Sequence, residues 1–331
     1  MILYINLIFT YNKKLAKRKV ILGFNHKTVL LNETLNFLNI NPLGVYVDGT
    51  AGGAGLSCEI AKRLSENGKL VSIDRDPDAI LTCKQRLSGY KNAFVVHDNF
   101  ANMPSIVHNL GIDFVDGVVL DLGVSSFQLD EAERGFSYKH DAPLDMRMSK
   151  AGISAFDVVN SFSYDDLRHI ISRYGEEKFA NRIASEIIRY REKKPIKTTT
   201  EFAEVIKNGV PFVARREGGH PARKTFQAIR IYVNKELESL EVGLKGAFEI
   251  LKKGGRLLVI TFHSLEDKIV KEYMMSWARG CVCPPDFPIC TCGQVPKAKF
   301  VHKKVIKPTD EEISINFRSR SAKLRICEKL V

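Results

Sequence analysis

Short apolar runs along the chain end in aspartates and alternate with amphipathic segments. The run 45–47 ends at Asp48, and the run 69–73 ends at Asp74. Between them, residues 58–64 have the apolar spacing of a helix that buries one face. Strand, loop, helix and strand in this order predict a parallel α/β sheet.

Three further runs extend this pattern. Residues 93–97 precede Asp98, residues 114–120 precede Asp121, and residues 256–262 precede His263. The carboxyl ends of parallel strands meet at one edge of an open α/β sheet, where ligands bind. The sequence therefore predicts that polar side chains line one edge of the sheet.

The regular alternation stops after residue 130, where irregular polar and aromatic segments are followed by helical patterns. These patterns predict helices over 164–174, 179–191 and 200–207, and then one long helix from His220 towards Leu251 that ends at Gly254-Gly255. For the third of them, residues 198–201 offer N-cap side chains. We therefore divide the chain into a basic N-terminal extension (1–24), a discontinuous α/β domain (25–130 and 218–331) and a helical insertion (131–217).

A glycine-rich turn follows the first predicted strand. The dinucleotide pattern Gly-x-Gly-x-x-Gly fails here, because it would start at Gly53 and Gly55 but meet Cys58 at its third position. An acid followed by a looser glycine cluster suits S-adenosylmethionine better. Asp74 lies about 20 residues further on, where an acid can accept both ribose hydroxyls. The alternative is a glycine-rich turn in another doubly wound fold.

Two residues after the third strand suit an adenine ring. Asp98 is placed to accept from the exocyclic amine, and Phe100 to cover one face of the ring. The alternative is an ordinary loop acid beside a core aromatic residue.

His263 follows the fifth strand, beside Ser264 and two acids. We assign His263 to the reaction and Ser264 to the substrate. The alternative is a purely structural histidine.

A cysteine cluster with the spacing C-x-C-x6-C-x-C follows further along the chain. Four thiolates can enclose a structural zinc ion, although paired zinc ligands are usually two residues apart. The alternative is four free thiols in a proline-rich loop. The candidate ligands are Cys281, Cys283, Cys290 and Cys292.

Composition and charge limit the classes of function that the chain can have. The chain has 331 residues and a formal net charge of +12, and it contains no apolar run near the roughly 20 residues that span a bilayer. Residues 1–27 hold six Lys or Arg and no acid, and residues 297–331 hold ten against four acids. The basic ends indicate either contact with a polyanion or solvated tails. The basic segment 178–197 indicates either a surface that faces RNA or a surface that faces solvent. An odd number of cysteines without an export signal indicates the reducing cytoplasm.

Taken together, these motifs resemble the bacterial ribosomal small-subunit RNA cytosine-N4 methyltransferase family, called MraW or RsmH. The resemblance extends from about residue 25 to 327, and the extension before Gly23 has no counterpart in it. The segments that carry it are 26–31, 48–50, 73–76, 121–130, 134–137, 143–148, 223–228, 261–267 and 318–323.

The resemblance implies a class I, Rossmann-like methyltransferase sheet with an inserted helical domain. It implies S-adenosylmethionine as methyl donor and a decoding-region cytidine of the small ribosomal subunit as substrate. One departure matters: the family usually has Gly-Gly-His-Ser where this chain has 54–57, so any polar role of Leu56 falls to its backbone N–H. The cofactor contacts implied by position are Ala54, Gly55, Leu56, Asp74, Phe100, Asp121 and Gln128, to which the strand ends add Asp48 and Asp98.

Three residues are candidates to orient or deprotonate the substrate amine: Asp121, Asp145 and His263. Arg147, Arg223 and Lys224 are candidates to hold RNA phosphates. A DNA cytosine-N4 methyltransferase is one alternative, but such enzymes usually carry a Pro-Pro-Tyr motif where this chain has residues 121–123. A non-catalytic RNA-binding protein is another alternative, and the assembly of two chains into a homodimer is left open.

Overall fold

The computed structural model describes residues 28–216, 219–281, 283–284, 287–289 and 291–331. The chain divides into two compact units. The first combines the residues up to Gly123 with Leu237–Val331, and the second is Val124–Glu236. The predicted extension 1–24 lies outside the described residues, and the predicted insertion 131–217 falls within the limits of the second unit.

A sheet of seven strands forms the centre of the first unit, in the order β3-β2-β1-β4-β5-β7-β6. Neighbouring strands from β3 to β5 are parallel, whereas β7 is antiparallel to both β5 and β6. This mixed α/β sheet confirms the predicted fold class. The strands are β1 (Val45–Asp48), β2 (Lys69–Asp74), β3 (Ala93–His97), β4 (Val115–Asp121), β5 (Leu251–Thr261), β6 (Ala298–Phe300) and β7 (Lys323–Lys329).

Helices surround the sheet and build the second unit. In the described residues they are, in chain order, α1 (Leu31–Leu38), α2 (Gly55–Ala61), α3 (Pro77–Arg86), α4 (Met103–Asn109), α5 (Ser126–Asp130), α6 (Ala155–Ser161), α7 (Tyr164–Gly175), α8 (Ala180–Arg191), α9 (Thr199–Gly209), α10 (Arg223–Asn234), α11 (Glu236–Ile250), α12 (Ser264–Ala278) and α13 (Asp310–Ile315).

The two faces of the sheet have separate apolar cores. Side chains of a strand alternate between the faces, so Val47 packs with α4, α11 and α12 while its neighbour Tyr46 packs with α1, α2 and α3. The strands are therefore covered on both faces, as a parallel sheet requires. This burial fixes the strand ends that carry the candidate site.

The prediction of one long helix from His220 towards Leu251 was wrong. The structure has α10 and α11 in place of a single helix, because Lys235 takes a left-handed conformation (φ 48°) between them. Gly254-Gly255 does not end a helix either: α11 ends at Ile250, and β5 already begins at Leu251. A register shift opposite Val115–Gly117 places Gly254 in an irregular part of β5, with φ 79°.

Three helices of the second unit, α7, α8 and α9, agree closely with their predicted ranges 164–174, 179–191 and 200–207. Thr198 caps α9 and accepts the Glu201 N–H through its hydroxyl at 3.3 Å, which confirms the predicted cap region. The α8 and α9 helices approach closely at Gly209, where a Cβ would lie 2.7 Å from the Ile183 backbone. Among the described residues, none of the helices combines the length and hydrophobicity that crossing a bilayer requires.

Candidate active site

The acid at the end of β1 is buried against the glycine-rich turn. Asp48 is 1% exposed. Its Oδ2 accepts the Ser57 hydroxyl at 2.6 Å, and its Oδ1 accepts the Thr50 N–H at 3.3 Å. Burial raises the pKa of Asp48 to about 6. Asp48 therefore holds both ends of the turn in place, and its direct contact with a cofactor stays a prediction.

The acid at the end of β2 holds the middle of the same turn. Gly52 N–H donates to Asp74 Oδ2 at 2.7 Å, and Asp76 N–H donates to Asp74 Oδ1 at 2.8 Å. Burial raises the pKa of Asp74 to about 6. Each carboxylate oxygen has a second lone pair, so these bonds leave Asp74 able to accept from ribose hydroxyls.

At residues 54–56, which follow the glycine-rich turn, the side-chain positions point into the protein interior. Ala54 is fully buried with a left-handed backbone (φ 60°), and Leu56 is 4% exposed. At Gly55 a Cβ would lie 2.2 Å from Thr28 Oγ1, so any larger residue there would displace the Thr28 side chain. Any contact between these residues and a ligand therefore falls to their backbone, as the sequence indicated for Leu56.

The two residues predicted to hold adenine have partners within the first unit. Asp98 Oδ1 accepts the Asn99 N–H at 2.7 Å and an amide N–H of Asn102 at 2.8 Å. Phe100 is half-buried, and a Cβ on Gly243 of α11 would lie 2.4 Å from its ring. One side of the ring thus packs on α11, as a core aromatic does, and its cover of an adenine stays a prediction.

The β4 strand ends at a carboxyl group with an unsatisfied oxygen. The Asp121 N–H donates to Thr50 Oγ1 at 2.6 Å, whereas Asp121 Oδ1 is buried and has no hydrogen-bond partner among the described residues. Burial, together with the nearby charges of Asp48 and Glu266, raises the pKa of Asp121 to about 8. A buried polar atom left unpaired costs about 1–3 kcal/mol, which a cationic or hydrogen-bonding ligand would recover.

The residue after β5 and its neighbours form a helix cap. His263 Nδ1 accepts the Glu266 N–H at 3.4 Å, and Glu266 Oε2 accepts the N–H groups of Phe262 at 2.8 Å and His263 at 3.3 Å. His263 Nε2 lies 3.1 Å from Glu266 Oε1 without forming a hydrogen bond. Ser264 is the exposed first residue of α12. The capping role of His263 is therefore observed, and the substrate roles of His263 and Ser264 stay predictions.

Two further residues lie at this edge, Thr50 and Glu266, and neither was predicted as a site residue. The sequence contains a signal for Glu266, because a glutamate three residues after an N-cap is the signature of a capping box. The sequence contains no such signal for Thr50, since its hydroxyl accepts a hydrogen bond from the N–H of a residue 71 positions away.

In the second unit, Asp145 and Arg147 bind each other. Arg147 Nε lies 3.1 Å from both Asp145 carboxylate oxygens, and its NH2 group lies 2.6 Å from Oδ2. The guanidinium thus occupies both oxygens of the Asp145 carboxylate. This pairing favours Asp121 over Asp145 as the acceptor for a substrate amine.

The other candidates of the second unit differ in their surroundings. Gln128 is 5% exposed and forms a capping box with Ser125, through bonds of 3.0 and 3.2 Å. Lys224 Nζ donates to the Glu176 carbonyl at 2.9 Å, whereas Arg223 is exposed in the first turn of α10. Their cofactor and substrate contacts stay predictions.

The cysteine cluster lies between α12 and β6. Cys281, Cys283 and Cys292 have their sulfur atoms within 4.8 Å of one another. Cys290, the fourth predicted ligand, lies outside the described residues.

Comparison with known proteins gives matches over most of the chain. A family model described as the MraW methylase family matches residues 23–330. A Clostridium botulinum (strain Kyoto / Type A2) protein named ribosomal RNA small subunit methyltransferase H is 54% identical over 308 residues, which cover 93% of this chain and 99% of that protein. A Brevibacillus brevis protein of the same name is 52% identical over 311 residues, with the same coverage. Among solved structures, an rRNA methylase from Streptococcus thermophilus aligns at a TM-score of 0.42 and 12% identity, covering 92% of this chain and 99% of that one.

Proposed function

Because the chain belongs to the MraW methylase family, we propose that it transfers a methyl group from S-adenosylmethionine to ribosomal RNA of the small subunit. The relatives that match nearly all of this chain carry the name ribosomal RNA small subunit methyltransferase H. One observation on the described residues carries the proposal: Asp121 Oδ1, at the carboxyl end of β4, is buried and has no hydrogen-bond partner among them.

We assign the reaction to the exocyclic N4 of a cytidine in the decoding region. The sequence motifs 121–130 and 261–267 support this assignment through their resemblance to cytosine-N4 methyltransferases. The lone pair of N4 is conjugated with the ring and is a weak nucleophile. The chain therefore has to place the amine and provide an acceptor for its N–H, rather than activate the ring with a cysteine.

The first unit fits S-adenosylmethionine in the chemistry of its side chains. When bound, the cofactor supplies an electrophilic methyl group on a positively charged sulfur. Asp74 would hold the ribose hydroxyls, and the backbone of residues 54–56 would contact the cofactor. Asp98 and Phe100 would hold the adenine, and the contact of Gln128 with the cofactor stays a prediction from the sequence. The buried Oδ1 of Asp121 supports this fit, because no residue that the structure describes forms a hydrogen bond with it.

Asp121 has a charge state that responds to a nearby cation. With its pKa raised to about 8, Asp121 is largely protonated at neutral pH. A positive charge close to it favours the carboxylate. That carboxylate then accepts an N–H of the amine and stabilises the positive charge that develops on the nitrogen as the new bond forms.

His263 is the weaker candidate for proton acceptance. Its Nδ1 already accepts a backbone N–H, so in the neutral ring the hydrogen is on Nε2. Nε2 is then a donor, which suits orientation of the cytosine better than removal of a proton.

The second unit provides the candidate RNA contacts. A base that reacts at an exocyclic amine has to leave its stack, at a cost of a few kcal/mol. Contacts to the flanking phosphates would offset that cost, and Arg223 is the best placed because its side chain is exposed. Arg147 and Lys224 have protein partners and would have to exchange them. We assign the helical region 131–217 to RNA recognition, with the small ribosomal subunit in the cytoplasm as partner.

A labelled methyl-transfer assay tests the function. Intact small subunits, naked ribosomal RNA and duplex DNA are each incubated with S-adenosylmethionine carrying an isotope-labelled methyl group, and the products are digested to nucleosides. We expect label in N4-methylcytidine from a small-subunit substrate, and none with the Asp121→Ala variant. Label in DNA alone would indicate the DNA methyltransferase alternative. Absence of saturable cofactor binding would indicate a non-catalytic RNA-binding protein.

A further inference from the structure

The described cysteines fall into two groups. Cys58, Cys83 and Cys327 are buried in the apolar cores of the sheet, where a cysteine behaves as a small apolar side chain. Cys281, Cys283 and Cys292 are exposed or half-buried, yet their sulfur atoms lie within 4.8 Å of one another. Core packing therefore does not explain why these three converge.

The separation of two of these sulfurs fits two ligands of one metal ion. Cys281 Sγ and Cys292 Sγ are 3.7 Å apart. Zinc binds thiolate sulfur at about 2.3 Å in tetrahedral geometry, so two sulfurs on one ion lie about 3.8 Å apart. The observed distance is far longer than the roughly 2.05 Å of a disulfide bond.

A backbone group also points into the cluster. The Cys283 N–H donates to Cys281 Sγ at 3.4 Å, and this bond holds the Cys281 sulfur in position.

The loop that holds the cluster has fixed ends. Lys297 N–H donates to the Trp277 carbonyl at 2.8 Å, close to where α12 ends and β6 begins. Phe287, Ile289 and Val295 in the same loop are 52%, 74% and 62% exposed. The described apolar side chains of the loop therefore do not form a core, and a metal ion would supply the cross-link that packing does not.

We propose that Cys281, Cys283 and Cys292 bind one Zn²⁺ ion as thiolates and so fix the loop between α12 and β6. Soft sulfur ligands in a tetrahedral set favour zinc among divalent ions of the cell. Binding releases one proton from each thiol. Cys290 completes the sequence pattern C-x-C-x6-C-x-C and lies outside the described residues.

Metal analysis of the full-length chain tests the proposal. The protein is purified without a histidine tag, in reducing buffer free of chelator, and its zinc, iron and copper are measured by mass spectrometry. We expect about one zinc per chain, falling below about 0.1 in Cys281→Ala and in Cys292→Ala. Cys58→Ala, at a buried cysteine, and Val295→Ala, at an exposed site of the same loop, are matched controls that keep their zinc.

A second measurement separates metal loss from misfolding. A mercurial thiol reagent is added to the folded wild-type chain, and released zinc is followed with a coloured chelator. We expect release as the cluster thiols react, while circular dichroism retains the helical signal. Wild-type protein with less than about 0.1 zinc per chain would overturn the proposal, as would a disulfide among these cysteines under anaerobic purification or full zinc content in both cluster variants.

Discussion

At the scale of single residues, Asp121 combines two properties that one ligand would satisfy. One of its oxygens is buried without a hydrogen-bond partner in the described part of the chain, and its pKa is raised to about 8 by burial and by neighbouring acids. A cation at this position binds the carboxylate form more tightly than the protonated form. Binding and deprotonation of Asp121 are therefore linked.

We expect a measurable proton release when S-adenosylmethionine binds near pH 7. Calorimetry in buffers of different ionisation enthalpy should show release approaching about one proton, because Asp121 with a pKa of about 8 starts mostly protonated. The Asp121→Asn variant should release less and lose turnover by about 10²-fold or more. S-adenosylhomocysteine, whose sulfur is neutral, serves as the matched ligand. Equal proton release with both ligands would contradict the assignment of Asp121 beside the sulfonium.

Asp74→Ala should weaken cofactor binding by at least about 100-fold, because it removes the acceptor for the ribose hydroxyls and releases Gly52 of the turn. Calorimetric titration with S-adenosylmethionine measures the change. Asp113→Ala, at an exposed acid just before β4, is the control and should bind normally. Unchanged affinity in the Asp74 variant would refute the assignment.

The apolar runs correctly predicted that Asp74 and Asp121 lie at the ends of strands, and the roles of these acids in binding and reaction stay predictions. Contacts between distant segments could not be predicted in this way. Thr50 was missed because its partner, the Asp121 N–H, is 71 residues away. The ion pair of Asp145 with Arg147 was missed as well, because a spacing of two residues does not by itself indicate that the two side chains form an ion pair.

At the scale of elements, apolar runs located the five parallel strands because burial on both faces leaves a continuous hydrophobic pattern. The break between α10 and α11 was not predictable in this way. Apolar residues continue with helical spacing on both sides of Lys235, and a lysine gives no warning of a left-handed conformation. The start of β5 was misplaced because Gly254 was interpreted as a helix terminator, whereas it occupies an irregular part of the strand.

The turn between β1 and α2 depends on a single close approach, which can be tested. Gly55→Ala should lower the free energy of unfolding by about 1–3 kcal/mol, because the new Cβ would lie 2.2 Å from Thr28 Oγ1. Thr28→Ala should rescue much of this loss, since the nearest remaining atom, the Cβ of residue 28, would lie 3.6 Å away. Chemical denaturation of both single variants and the double variant measures the coupling. Purely additive effects would show that the contact is not the cause.

At the scale of the whole molecule, the basic C-terminal region is partly neutralised by the chain itself. Lys323 and Arg325 on β7 bind Asp267, and Lys299 on β6 binds Glu328. Lys303, Lys304 and Lys307 are exposed, and no ion pair is seen for them in the described part of the chain. These three lysines are therefore better candidates for contact with a polyanion than Lys299, Lys323 and Arg325, whose charges are paired within the chain.

Replacing Lys303, Lys304 and Lys307 together by alanine should weaken binding to ribosomal RNA and lower the slope of log affinity against log salt by about two, because each phosphate contact releases about 0.7 of a counterion from single strands. Fluorescence anisotropy over a salt series measures the slope. Lys271→Ala, at an exposed lysine of α12, is the control. An unchanged slope in the triple variant would identify this segment as a solvated tail.

The position of β7 in the sheet has a consequence for synthesis. β5 lies between β4 and β7, and β7 consists of residues close to the C-terminus. A nascent chain halted before β7 would keep every strand-end acid of the candidate site but would leave one side of β5 unpaired, and such open edges recruit other chains. Copies terminated before β7 should therefore aggregate or be degraded, and copies that include β7 should accumulate as native protein.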